Sequence, residues 1–201
     1  MNIAINREGY PYIFLALLAT ALVASFNYHI ITYSFLFLIG FFTIFFRDPV
    51  RTIPQQRNIL VSPADGRVKS ITDYGAHKAV HIFIGPLDVH INRSPISGII
   101  GAITPKKGKH KAAFRKAAEL NAENYITINS GKRKITVVQI VGFMARRIKC
   151  WVKLSEHVKI GQPIGMILFG SGTKLIMPAG VKILVRRRQK VKAGETIIAK
   201  F

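Results

Sequence analysis

Two stretches built to one pattern decide the fold: "SPADGRVKSI", Ser62–Ile71, and "SPISGIIGAI", Ser94–Ile103. In each, a Ser-Pro pair leads through a glycine turn into a strand-like run. A second pair, "VKIGQPIG" (Val158–Gly165) and "VKAGETIIA" (Val191–Ala199), repeats the device. Between them stand other short β-type runs, among them "KAVHIFI", "NYITINS", "KITVVQIVG" and "KLIMP". Gly, Pro, Asn and Ser punctuate these runs, as they do in a sandwich or barrel.

The fold read from this is mainly β: a barrel-sandwich body of the biotinyl and lipoyl kind, with one short helix at Lys111–Ala122, "KAAFRKAAELNA". Biotinyl and lipoyl domains carry a modified Lys in Met-Lys-Met or Asp-Lys-Ala. Neither occurs here, which argues against a carrier function.

Ahead of the body, Tyr10–Phe46 contains no Asp, Glu, Lys or Arg. It divides at "SFNYH", Ser25–His29, into two apolar halves, each near the lower limit of the about 17–25 residues that cross a bilayer. Asn27 and His29 suit a turn at the far interface, so the segment reads as a helical hairpin with both ends on one side. Arg7 precedes it, and Arg47, Arg51 and Arg57 follow, a pattern that favours cytoplasmic ends. A cleaved secretory signal ending at "ALVA" and a segment that only dips into one leaflet are the competing readings.

The net charge of +21 lies almost wholly after Phe46. Its concentrations are "PKKGKHK", "ARRIK" and "VRRRQK". With an apolar anchor beside it, such a body fits an anionic membrane surface. Nucleic acid is the rival class, but the body offers little aromatic surface for stacking. The single cysteine, Cys150 in "IKCWVKL", allows no internal disulfide and reads as a packed, inert thiol. The six histidines show no metal-ligand spacing.

Four stretches are candidates for chemistry. "SPADGRV" carries Asp65 in a turn. "GPLDVHINRSP" carries Asp88, His90, Asn92 and Arg93, and an extended chain puts Asp88, His90 and Asn92 on one face. His81, in "AVHIFIG", alternates with apolar neighbours and reads as a buried or edge histidine. "KAAELNAENY" carries Glu119, Asn121 and Asn124, which also fit a helix C-terminus. "GSGT", Gly170–Thr173, is either a tight turn or a reactive pair.

In the reactive case the Ser171 hydroxyl attacks the Gly170 carbonyl, and the peptide becomes an ester. A base takes the hydroxyl proton and donors hold the oxyanion. β-Elimination breaks the ester, and the dehydroalanine hydrolyses with loss of ammonia to an N-terminal pyruvoyl group. Such a ketone forms a Schiff base with an amine and serves as an electron sink for decarboxylation, without metal or pyridoxal phosphate.

With "REGYP", "FFRDPVR", "SPADGRV", "PLDVHINRSPISG", "ENYITI", "QIVGFMARRIKCWVK", "GQPIGMILFGS" and "MPAGVKILV" in this order, the chain closely resembles the phosphatidylserine decarboxylase proenzymes, in their short bacterial and archaeal form. The resemblance implies a membrane-associated hydrophobic segment over residues 1–50 and a β-rich catalytic domain over 51–201. It implies cleavage between Gly170 and Ser171 into a β chain, 1–170, and an α chain, 171–201, which remain a heterodimer. Ser171 would become the pyruvoyl cofactor. Phosphatidylserine would be converted to phosphatidylethanolamine at the cytoplasmic side of the cell membrane.

Asp65 matches the acidic member of the family's self-cleavage triad, and His90 the histidine linked with decarboxylation. Arg93 stands where long-form relatives have a second histidine, the usual base for self-cleavage, and an arginine cannot take that part. The expectation is that His90 does both jobs, or that Asp65 acts on Ser171 through water. Gly172 also departs from the family pattern and is expected to loosen the turn. Archaetidylserine or another serine lipid would suit the same chemistry. A non-catalytic membrane-anchored adaptor, with "GSGT" only a turn, is the alternative of a different class.

Overall fold

A computed structural model describes residues 3–108, 121–142, 147–168 and 171–201, with backbone alone at residues 3 and 171. The chain forms two compact units, Met1–Val50 and Arg51–Phe201. The helix expected at Lys111–Ala122 lies, up to residue 120, outside the described residues.

The first unit is a helix pair, α1 (Tyr10–Ser25) and α2 (His29–Phe45). Pro11 suits the first turn of α1, where its missing N–H is no loss. Asn27 makes the reversal at φ 58°. Tyr12 stacks on Phe46 at 5.2 Å and meets Phe42 at 5.6 Å, so the helices run antiparallel. Two short strands, β1 (Ile3–Ile5) and β2 (Arg47–Pro49), pair and hold both ends of the hairpin together. Phe14, Leu22, Ile30 and Phe37 are all exposed, so the helices are apolar on their outer sides. Of the two, only the helical stretch Arg7–Ser25 is long and apolar enough to cross a membrane by itself.

The second unit is mainly β, as expected. It contains β3 (Ile59–Val61), β4 (Gly66–Asp73), β5 (His77–Ile84), β6 (Ile91–Arg93), β7 (Gly98–Lys106), β8 (Glu123–Ser130) and β9 (Arg133–Val141). These are followed by β10 (Ile148–Cys150), β11 (His157–Val158), β12 (Pro163–Ile167), β13 (Ser171–Pro178), β14 (Lys182–Ile183), β15 (Lys190–Val191) and β16 (Ile197–Lys200). One antiparallel sheet runs β11-β7-β8-β9-β13-β5-β4-β15, and two small sheets run β10-β12-β6 and β14-β16-β3. Alternation fixes the inner face: Val80, Ile82 and Ile84 on β5, Ile126 and Ile128 on β8, and Leu175 and Met177 on β13 are fully buried. Each such side chain contributes about 1.5–3 kcal/mol.

The repeats are a structural two-fold. Leu175 faces Val137 in the middle of the β13–β9 ladder, and the pair exchanges with itself. Around it the second unit repeats bond for bond. The Arg93 N–H donates to Pro63 O at 2.9 Å, and the Val61 N–H to Pro95 O at 3.0 Å. The Gly161 N–H donates to Ser94 O, and the Gly194 N–H to Ser62 O; both glycines sit at φ 77°. The Ile160 N–H donates to Ser97 Oγ at 2.9 Å, and the Ala193 N–H to Asp65 Oδ1 at 2.7 Å. Counting out from Leu175–Val137, Thr173 maps onto Ile135, Gln139 onto Met177 and Ser171 onto Arg133.

Candidate active site

In "GSGT", Ser171, Gly172 and Thr173 are strand rather than turn. Ser171 opens β13, which lies inside the large sheet. At that residue the strand faces Ile84 of β5 on one side and Val141 of β9 on the other. Gly172 and Thr173 continue both ladders. Gly172 therefore loosens no turn; it packs against the imidazole of His81, and a Cβ there would lie 2.7 Å from Nε2. Gly170 lies outside the described residues. The Val141 end of β9 is pinned by its N–H to Ala122 O at 3.0 Å and by Asn121 Nδ2 on its carbonyl at 2.7 Å.

His90 is fully buried. Its carbonyl accepts the Ile167 N–H at 3.2 Å, four residues before Ser171 in the chain. Its Nδ1 lies 2.8 Å from the Asp88 carbonyl. A carbonyl only accepts, so Nδ1 carries the proton and Nε2 is the basic nitrogen. Asp88 does not share a face with His90 and Asn92 as an extended chain would require. Only Ile91–Arg93 is strand, and the Asp88 carboxylate turns back to accept the Gly85 N–H at 2.9 Å.

Asp65 is buried and accepts three hydrogen bonds. Arg51 Nη2 donates to both its oxygens at 3.0 Å, and the Ala193 N–H to Oδ1. The Arg51 side chain is 4% exposed, and Glu195 stands 3.9 Å away on its far side. Asp65 thus clamps the 192–195 turn. Arg93 is also buried, and its Nη1 donates to Gly161 O at 3.0 Å.

Sequence reasoning named Asn92 and Asn124 but missed Gln139, Thr173 and the buried chain of bonds that joins all four. Asn124 Nδ2 donates to Gln139 Oε1 at 3.0 Å, Gln139 Nε2 to Asn92 Oδ1 at 2.9 Å, and Asn92 Nδ2 to Thr173 Oγ1 at 2.9 Å. Asn124 lies on β8 rather than at a helix end; Glu119 lies outside the described residues. The signal for Gln139 is that it is the lone polar residue at the inward period of "KITVVQIVG". Tyr125 was missed too. Its hydroxyl donates to Glu123 at 2.6 Å, which raises its pKa to about 12.

His81 is half-buried on β5, between β4 and β13. Burial, with Lys69 and Lys174 beside it, lowers its pKa to about 4. Cys150 is exposed, contrary to the packed thiol expected, because β10 is the edge strand of its sheet. Among the described residues no His, Cys, Asp and Glu cluster could hold a metal.

The profile of the family described as Phosphatidylserine decarboxylase matches residues 38–199. The chain belongs to this family. It is 38% identical to the phosphatidylserine decarboxylase proenzyme of Carboxydothermus hydrogenoformans, over 97% of this chain and 95% of that one. It is 38% identical to the proenzyme of Desulfotalea psychrophila, over 100% and 98%. With the proenzyme of Wolbachia pipientis wMel it shares 39% identity, over 97% and 90%. Membership in a family of phosphatidylserine decarboxylase proenzymes directs attention to the one serine that begins a central strand.

Proposed function

We propose that the chain cleaves itself between Gly170 and Ser171 and then decarboxylates phosphatidylserine to phosphatidylethanolamine. The observation that carries this is the position of Ser171 at the head of β13, paired on both sides. Cut there, the 171–201 chain stays in place: β13 is held by β5 and β9, β15 by β4, and β16 by β3. A new N-terminus at 171 is therefore fixed by six strand-paired residues on the β9 side alone. The pyruvoyl group would supply the carbonyl that takes up the substrate amine and accepts the electrons released with carbon dioxide.

The chain's own residues do the proton work. His90 takes the Ser171 hydroxyl proton at Nε2, the nitrogen its Asp88 bond leaves basic, and later returns a proton near the substrate. Arg93, a permanent cation, holds the Gly161 carbonyl and is no base. Asp65 serves maturation from its clamp on Arg51 and the 192–195 turn.

The apolar exterior of α1 and α2 supports attachment to a membrane, and the cations Arg7, Arg47 and Arg57 support an anionic cytoplasmic face of the cell membrane; Arg51, which the sequence grouped with them, is buried on Asp65. Intact mass in mild detergent tests the core of the reading. Two chains divided after Gly170, the smaller lighter by one ammonia than hydrolysis gives, are the expected result. A single 201-residue chain in detergent and in bilayers alike would sink it.

A further inference from the structure

The internal two-fold supplies a control for the buried amide chain. Asn92 faces Gly165 across β6–β12 as Leu60 faces Ala199 across β3–β16, so Asn92 corresponds to Leu60. Gln139 corresponds to Met177 and Thr173 to Ile135. All six side chains are fully buried. The same fold thus builds the same three places twice, once apolar and once polar. Packing does not demand the polar version. A buried polar set held by internal bonds gains little over an apolar set of like shape, and any lost partner is costly.

The polar set also has a direction. It begins on β8 at Asn124, passes β9 at Gln139 and reaches β6 at Asn92. From Asn92 it spreads to Thr173 Oγ1 at 2.9 Å and to the Pro63 carbonyl at 3.3 Å. Asn92 is two residues from His90, and Thr173 is two residues from Ser171 along β13. The Asn92–Thr173 bond ties the His90 segment to the strand that Ser171 begins.

We propose that Asn92, braced by Gln139 and bonded to Thr173, is a positioning residue for self-cleavage. It registers the head of β13 against the His90 segment and so sets the approach of nucleophile and base. The inference rests on the self-cleavage reading above. Misplacement of reacting groups by an ångström slows a reaction by about 10²-fold.

The test copies the apolar half of the molecule onto the polar half. Full-length protein is made cell-free with lipid vesicles, and the fraction cleaved is followed by intact mass. Wild type and Ser171→Ala come first; an uncleaved wild type overturns the underlying reading, and this proposal with it. With wild type cleaving, Thr173→Val and Asn92→Leu are expected to slow cleavage by about 10²-fold. Thr173→Ser, which keeps the hydroxyl, stays within about threefold of wild type.

The triple variant N92L/Q139M/T173I guards against misfolding. In a Ser171→Ala background, where no chain is cut, it is expected to melt no lower than Ser171→Ala alone. With Ser171 restored it is expected to cleave slowly. A triple variant that folds and cleaves at the wild-type rate overturns the proposal. So does equal slowing by Thr173→Ser and Thr173→Val.

Discussion

Arg133 Nη1 donates to Asn58 Oδ1 at 3.1 Å, and the two-fold carries these positions onto Ser171 and His90. The match at Asn58 rests on the backbone. Its carbonyl accepts the Phe201 N–H at 2.9 Å, as the His90 carbonyl accepts that of Ile167. In one half of the domain this junction holds an exposed polar contact. In the other it holds the proposed nucleophile and base. Replacing His90 with Ala is therefore expected to slow cleavage by about 10²–10⁴-fold, the usual contribution of a general base. Replacing Arg133 with Ala also removes a guanidinium 3.9 Å over the Phe201 ring, and is expected to cost about 0.5–1 kcal/mol and to leave cleavage intact. A time course of intact mass checks both. Unimpaired cleavage by His90→Ala would remove His90 from maturation.

Asp65 offers a second test. Replacing it with Ala strands the buried Arg51 guanidinium and is expected to cost about 3–5 kcal/mol. Its two-fold partner Ser97 accepts the Ile160 N–H without any charge. The double variant R51M/D65S copies that solution and is expected to melt close to wild type and to cleave. Thermal melting and intact mass read the two effects separately. A double variant that folds but stays whole would give Asp65 a direct part in proton transfer.

Much of the architecture was legible in the sequence. Short β runs with glycine turns give the mainly β body, and the charge-free stretch Tyr10–Phe46 gives the helix pair. What the repeats mean was not legible, because the β13–β9 ladder at the centre of the two-fold joins distant segments. The site was legible in part. His90 stands out in a polar cluster after an apolar run. Asp88 was misplaced because the chain is extended only from Ile91 to Arg93. Thr173 was hidden in "GSGT" because glycines on either side of Ser171 suggest a turn, whereas Gly172 is a strand residue making room for His81.

That relationship predicts a change of sign. A methyl group at position 172 runs into the His81 imidazole, so Gly172→Ala is expected to cost about 1–3 kcal/mol in the wild-type background. With His81→Ala already in place, the same change removes backbone freedom from the unfolded chain. It should then stabilise by about 0.5–1 kcal/mol. Denaturant melts of the four chains, all carrying Ser171→Ala, close the cycle. A Gly172→Ala effect independent of residue 81 would show that the imidazole is not the obstacle.

His81 also sets a pH dependence. Burial and the cations Lys69 and Lys174 hold its pKa near 4, below the ordinary 6.5. The unfolded chain therefore binds more protons than the folded one between those values. The contribution of neutral His81 is complete above about pH 6.5 and is lost as pH falls toward 4. The chain should lose melting temperature across this window. His81→Gln, which cannot titrate, should lose less, with the gap between the two widening steadily from pH 6.5 downward. Melting curves at half-unit steps, again in the Ser171→Ala background, measure that gap. A constant gap across the window would mean that His81 takes up no proton on unfolding, and so titrates alike in the folded and unfolded chain.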